Sequence, residues 1–356
     1  MHRGPRNISV AGFCLLIFTA LSPWVTAPQL VSQPSGPKPA DVPAQWKPLI
    51  GSYAGKDGVI FEILENHGRL ELKRGVEPSV PLREEAETEF FFVAEHQAAV
   101  PLHFVAGGRG SIEQLIFGSV HLVRTTSTGA DKSFRVVPNR PLDELRKEAM
   151  LAAPPQETRS FRKPDLVEVA TLDRSIRLDI RYASANNFLG APVYTQPRAF
   201  LQRPAALALV RASHALQPLG YGLLIHDGYR PWSVTKIFWE ATPPEGRIFV
   251  ANPAEGSRHN RGCAVDLTLY DLRTGASIEM PGSYDEMSPR SFPDYAGGTS
   301  LERWHRELLR KVMEAEGFTV FETEWWHFDY QDWKEYGILN IPFERLAVNS
   351  AARTSY

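Results

Sequence analysis

Two short stretches constrain this chain more than anything else in it: Ser257-Arg258-His259-Asn260-Arg261-Gly262-Cys263-Ala264-Val265-Asp266 and, far downstream, Glu324-Trp325-Trp326-His327. Alternation from Ala264 to Leu269 sends Val265, Leu267 and Leu269 to one face of a strand and Asp266 to the other. The Asp266 carboxylate then projects from a rigid support. His259 precedes it in a loop, and Gly262 supplies a backbone turn that a side chain would obstruct. Glu324 and His327, three apart, fall on opposite sides of a regular strand but on one side of a helical turn or bulge, so strand geometry has to break there. Trp325 and Trp326 are expected to wall the site between them. A His-x6-Asp spacing alone is common by chance. Two imidazoles together with two carboxylates are the donor set of a hydrolytic zinc centre, in which three N/O side chains hold the ion and a separate carboxylate takes the proton from water. His259, Asp266 and His327 fit the ligands of one Zn2+, and Glu324 fits the base.

The two stretches together resemble the zinc D-alanyl-D-alanine dipeptidase family, whose pattern reads Ser-x-His-x-x-Gly-x-Ala-x-Asp followed downstream by Glu-x-x-His. Every fixed position of it is filled here. Further matches are Asp179-Ile180-Arg181-Tyr182-Ala183 with Asn187-Phe188, Asp227-Gly228-Tyr229-Arg230-Pro231, and Gly282-Ser283-Tyr284-Asp285-Glu286-Met287. The resemblance implies that Arg230 stabilises an oxyanion, with Asp227 holding its guanidinium through paired hydrogen bonds. It implies that Asp285, in the family's Phe-Asp-x-Met position, receives the substrate amine, although Tyr284 replaces the usual Phe and Ser288 takes a place often acidic. Tyr182 is expected to line the substrate pocket, and Ser257 to stand at that pocket and steady the loop or the ligand. By residue type alone, Asp227 and Arg230 also read as a surface pair in a turn, and Tyr182 as plain packing.

The resemblance covers about residues 165–340, and nothing before them. The remainder of the 356 residues is long enough for a second domain at about 150 residues per domain. Met1 to Arg6 is basic, and an apolar run follows from Ile8 to Val25, the layout of an export signal or an uncleaved anchor over 1–27. Residues 28–45, rich in Pro, Ser, Gln and Gly, read as a flexible tether. Short apolar runs separated by turn residues, with breaks at His67-Gly68 and Ala106-Gly107-Gly108, make 46–140 a small all-β accessory domain. Residues 141–160 read as a helical connector, 161–345 as the peptidase domain and 346–356 as a tail. Within the peptidase domain, helices are expected over Pro204–Gln217, Pro231–Ala241 and Leu301–Glu316. Strands are expected over Ser175–Tyr182, Gly222–Ile225, Ala264–Tyr270 and Thr319–Glu322. The fold class is α+β, with a central antiparallel sheet flanked by helices.

A net charge of −2 and the absence of any stretch that clusters Lys/Arg with aromatics exclude a nucleic-acid groove. A small D-dipeptide is the expected substrate, and the exported form would act in the periplasm or cell envelope, with possible cell-wall contact through the β-domain. Two other functions stay open: a D,D-carboxypeptidase acting on peptidoglycan stems, which shares the metal pattern, and a non-catalytic wall-binding protein. Asp285 favours a free amine over the first, and Glu324, of no use to a binding module, counts against the second. Cys263, the one thiol beyond the N-terminal segment, reads as a small buried hydrophobe.

Overall fold

A computed structural model describes Met1 and residues 36–86, 89–93, 98–108, 111–125 and 134–346. The signal or anchor, residues 28–35 of the tether and nearly all of the tail lie outside the described residues. No helix among the described residues is long and apolar enough to cross a membrane.

The N-terminal strands are β1 (Gly51–Ala54), β2 (Ile60–Asn66), β3 (Arg69–Arg74), β4 (Val80–Ala86), β5 (Glu89–Phe92), β6 (Val100–Ala106), β7 (Ile112–Phe117) and β8 (Val120–Arg124). Each pairs antiparallel with the next, and β8 returns to β1 through Tyr53 and Arg124, closing a barrel. Tyr53, Ile63, Leu72, Leu102, Leu115 and Leu122 fill its interior. The turn at His67 and Gly68, both at positive φ, joins β2 to β3 where the sequence broke. The charged, largely exposed β4 is missing from the sequence reading because a strand that buries almost nothing shows little apolar alternation. Part of the tether region is engaged: Val42 is buried in the barrel core, and Lys38 donates to the Tyr221 hydroxyl.

The C-terminal domain runs α1 (Leu142–Leu151), β9 (Leu166–Glu168), α2 (Val169–Leu172), β10 (Arg177–Leu178), β11 (Phe200–Gln202), α3 (Arg203–Leu216), β12 (Tyr221–Asp227), α4 (Trp232–Ala241), β13 (Ala264–Asp271), α5 (Ser300–Ala315), β14 (Phe318–Phe321) and β15 (Glu324–Tyr330). Its main sheet has the order β10-β12-β13-β15-β14 and is antiparallel except that edge strand β10 runs parallel to β12, so it is mixed rather than purely antiparallel. β9 and β11 form a separate pair. The connector helix α1 buries Leu145 and Ala149 in the core of this domain. Helix α5 starts at a capping box, Thr299 with Glu302, and buries Leu308, Leu309, Val312 and Met313.

One expected strand is shorter than its sequence suggested. Of Ser175–Tyr182 only Arg177–Leu178 pairs, and a 3-10 turn over Arg181–Ala183 follows. That turn carries the Tyr182 ring inward against Phe188, Tyr194 and Phe238, a cluster that a straight edge strand would not reach.

Strand β13, between β12 and β15, is the mechanical centre of the sheet. Val265, Leu267 and Leu269 are fully buried. Leu267→Ala is expected to lower unfolding free energy by about 2–5 kcal/mol through lost contacts and a residual cavity, to be read as a reduced midpoint in urea.

Candidate metal centre and active site

Register brings the site residues together. In the ladders, Asp266 on β13 stands opposite His327 on β15 and Asp227 at the end of β12. Between Val320/Phe328 and Phe321/Glu324 the register shifts, so β15 carries extra residues and bulges. This is the break that the Glu-x-x-His spacing demanded, and both side chains line one pocket. Trp326 lines it too. Trp325 does not: it lines a different cavity, toward the barrel, so only one of the two tryptophans walls the site.

His259 sits in a 3-10 turn closed by Gly262 at φ 69, where an added Cβ would lie 2.4 Å from Leu166 Cδ2. Asn260, an unspecified position of the motif, holds this turn in place. Its side-chain amide donates to the Arg230 carbonyl and the Thr235 hydroxyl, and its Oδ1 accepts from the Ser257 amide. Ser257 Oγ accepts from the His259 amide at 3.2 Å, which is the loop-steadying part of its expected role.

Three ligand atoms converge. His259 Nε2 and His327 Nδ1 are 3.0 Å apart, and Asp266 Oδ1 lies 3.2 and 3.1 Å from them. Among the described residues these three side chains form the cluster able to hold a metal ion, and all are buried. The other nitrogen of each ring is engaged: His259 Nδ1 with the Gly228 carbonyl at 2.7 Å, and His327 Nε2 with Asp329 Oδ1 at 2.9 Å. Since both partners accept, the engaged nitrogen keeps its proton in either neutral ring, which leaves the facing nitrogen as the one to present a lone pair to an ion. Asp266 Oδ1 is buried without a hydrogen-bond partner. Zinc holds such ligands at about 2.0–2.2 Å, a reach that spans a triangle of this size. The donor set fits a divalent ion.

The electrostatics agree. Burial works to lower the His327 pKa, but Asp329 and Asp266 outweigh it and push it up to about 10. Burial would raise Asp266, yet its neighbours His259 and His327 hold it well below the ordinary carboxylate range. A field that retains a proton at this point also attracts a cation.

Glu324 Oε2 is 3.7 Å from His327 Nδ1. Burial, reinforced by Asp266 and Asp329 against His327 and Arg230, pushes the Glu324 pKa up to about 7. Arg230 packs over Phe238 and Tyr182 and approaches Asp266 Oδ2 at 3.6 Å. Its Nε donates to one oxygen of Asp227 at 2.9 Å and its Nη2 forms an ion pair with the same oxygen at 2.8 Å, while Tyr194 and the Gly228 amide donate to the other. Of the expected paired hydrogen bonds one forms, and the second contact is an ion pair to the same oxygen. The pair is buried, not a surface turn.

Across the pocket, Tyr182 donates to Asp285 Oδ1 at 2.9 Å, and Asp285 Oδ2 is buried without a partner. Burial, then the charges of Asp266 and Glu324, push the Asp285 pKa well above its usual value. Tyr284, replacing the family's Phe, uses its extra hydroxyl: it donates to Asp266 Oδ2 at 3.2 Å and stacks on His226. Cys263 is fully buried and outside the metal cluster.

The D-ala-D-ala dipeptidase family of metallopeptidases matches residues 162–348. The chain belongs to this family. Relatives named D-alanyl-D-alanine dipeptidase include proteins of Escherichia coli, 33% identical over 50% of this chain and 91% of theirs, and of Enterococcus faecalis, 38% identical over 44% and 87%. One from Streptomyces coelicolor is 36% identical over 47% of this chain and 92% of its own. The family match begins after the barrel.

Two contributors escaped the sequence reading, Asn260 and Asp329. The signal for Asp329 is its place two residues after His327, on the same face of β15. Because Asp329 fixes the tautomer of a ligand, Asp329→Ala is expected to weaken zinc binding about 10- to 100-fold, measured by competition with a chelator, with the thermal midpoint of the metal-free protein little changed.

Proposed function

We propose that the chain is a zinc-dependent hydrolase of D-Ala-D-Ala or a similar D-dipeptide, working in cell-wall peptide turnover. The observation that supports the substrate most directly is Asp285 Oδ2, a buried carboxylate oxygen with no protein partner in the wall of the pocket that holds the triad. A lone buried carboxylate calls for a cation, and the α-ammonium of a dipeptide supplies one. A pocket of about 110 Å3 suits a small substrate.

Bound by His259, Asp266 and His327, zinc would supply a Lewis acid that acidifies water and polarises the scissile carbonyl. Glu324, buried and with its pKa raised toward neutrality, takes the proton of the attacking water and returns it to the leaving amine. Arg230, fixed by Asp227, donates to the oxygen on which charge develops. Asp285 and Tyr182 anchor the amine end and so set the distance from amine to scissile bond. A longer, acylated chain lacks that amine and leaves Asp285 unpaired, which disfavours the carboxypeptidase reading.

The basic and apolar N-terminus motivates an exported location, where dipeptides released from the wall, rather than the cytoplasmic precursor pool, are the available substrate. The barrel is a candidate for wall contact.

The test is amine release from D-Ala-D-Ala, L-Ala-L-Ala and an N-acylated D-Ala-D-Ala stem by the zinc-loaded protein. Cleavage confined to the free D,D-dipeptide is expected, whereas preference for the acylated stem would establish a carboxypeptidase. Glu324→Ala is expected to lower kcat by about 10²–10⁴ with zinc content unchanged. Zinc lost in proportion to activity would remove Glu324 from the role of base.

A further inference from the structure

Between β13 and α5, residues 272–299 form a long connection whose regular structure, apart from an isolated bridge at Ser277, is a 3-10 turn over Pro289–Ser291. Loops of this length inside a compact domain generally carry function. Here Asp285, Glu286 and Met287 line the catalytic pocket. Asp285 is held at φ 60, in the left-handed region, a conformation that persists only where the surroundings impose it. Some of that constraint is local. Glu286 accepts from the Ser283 amide and the Ser288 hydroxyl, and its carbonyl accepts from Ser291 Oγ.

The sheet holds this loop at its start, where the Ile278 amide donates to the Leu269 carbonyl at 2.9 Å beside the Ser277–Tyr270 bridge, and at Tyr284, which stacks on His226. Between these points lies a cavity of about 640 Å3, lined by loop residues 277–284 and, on the sheet, by His226, Thr268 and Trp325. Thr268 Oγ1 and Trp325 Nε1 are buried there without protein partners. Barrel residues Lys47, Ile50 and Gly51 close the same cavity, so the loop spans a gap whose other edge is the barrel.

The barrel grips the loop at both ends. Near its start, Lys47 pairs with Glu279 at 3.7 Å. Toward its end the contacts are denser. The Tyr295 hydroxyl donates to Glu62 on β2, and the Glu65 amide donates to the Gly298 carbonyl at 3.0 Å. The Glu65 carboxylate accepts from the Ser300 amide at 2.6 Å, placing a negative charge on the first turn of α5, where the helix favours one. Arg303 ties the two sides, bonding the carbonyls of Ala296, Gly297, Gly298 and, across the interface, Glu65. Metal ligands and Glu324 lie on β13, β15 and the His259 turn, none of which is part of this loop.

We infer that the barrel is the base of the substrate loop: by fixing Glu279 and Tyr295–Ser300 it holds Asp285 in place, so that contacts made by Glu62 and Glu65 set substrate affinity rather than turnover. Glu62, Glu65 and Tyr295 are positioning residues acting through Asp285. This rests on the proposed role of Asp285 as amine anchor.

The experiment compares the zinc-loaded full chain with Tyr295→Phe, Glu62→Ala, Glu62→Gln and Asp285→Asn, measuring KM and kcat for D-Ala-D-Ala, zinc content, and hydrogen exchange of the amides of 281–288 against those of β13. Tyr295→Phe and Glu62→Ala are each expected to raise KM about tenfold, equivalent to about 1.4 kcal/mol, with kcat and zinc unchanged and with faster exchange confined to 281–288. The double variant should be no worse than either single one, and Glu62→Gln, which keeps an acceptor for Tyr295, should restore most of the loss. Unchanged exchange in 281–288, or a parallel loss of kcat and zinc, would overturn the inference. Wild-type KM in Asp285→Asn would overturn the amine-anchor reading instead, and the exchange data, which need no turnover, separate the two failures.

Discussion

Two imidazole nitrogens face each other 3.0 Å apart, each with its partner nitrogen already donating elsewhere, beside a carboxylate oxygen that has nothing to accept. Three electron pairs directed at one point in a buried site are costly unless a positive charge lies among them. Much else in the domain serves to sustain that arrangement. β13 and β15 are paired so that Asp266 and His327 stand opposite one another, and the His259 turn is fastened by Asn260 and Gly262. Asp329 and the Gly228 carbonyl hold the rings at the angles that aim them.

Around this concentration of charge the surroundings are graded. Asp227 fixes Arg230 and is itself held by Tyr194 and a backbone amide, so the guanidinium pairs closely with Asp227 at 2.8 Å and more loosely with Asp266 at 3.6 Å. The Tyr284 hydroxyl occupies the outer oxygen of Asp266 and leaves the inner one to the ion site. Asp266 and Asp285 therefore each have one oxygen restrained by a tyrosine hydroxyl and one buried without a protein partner. The fold leaves its polar network open at these two oxygens.

The site was legible in the sequence because its chemistry sits in two contiguous stretches, and because helices α3, α4 and α5 announce themselves through Pro, caps and amphipathic spacing. What was hidden depended on tertiary direction. Nothing in Trp325-Trp326 states which ring turns to the pocket once the strand bulges. Asn260 and Asp329 look ordinary until their partners, Arg230 and His327, come within reach. The Ser175–Tyr182 run has a strand's composition, but the need to bury Tyr182 among Phe188, Tyr194 and Phe238 bends it into a turn. β4 gave no periodic signal because it buries so little, yet the barrel cannot close without it.

Cys263 lies between Gly262 and Ala264 at the heart of the metal motif, fully buried, with burial pushing its thiol pKa far up and its carbonyl accepting from the Tyr330 amide. A thiol so placed neither ionises nor meets oxidants. With no other cysteine among the described residues, they form no disulfide. The described domain is therefore held by packing and hydrogen bonds, with no disulfide whose loss in a reducing medium would loosen it.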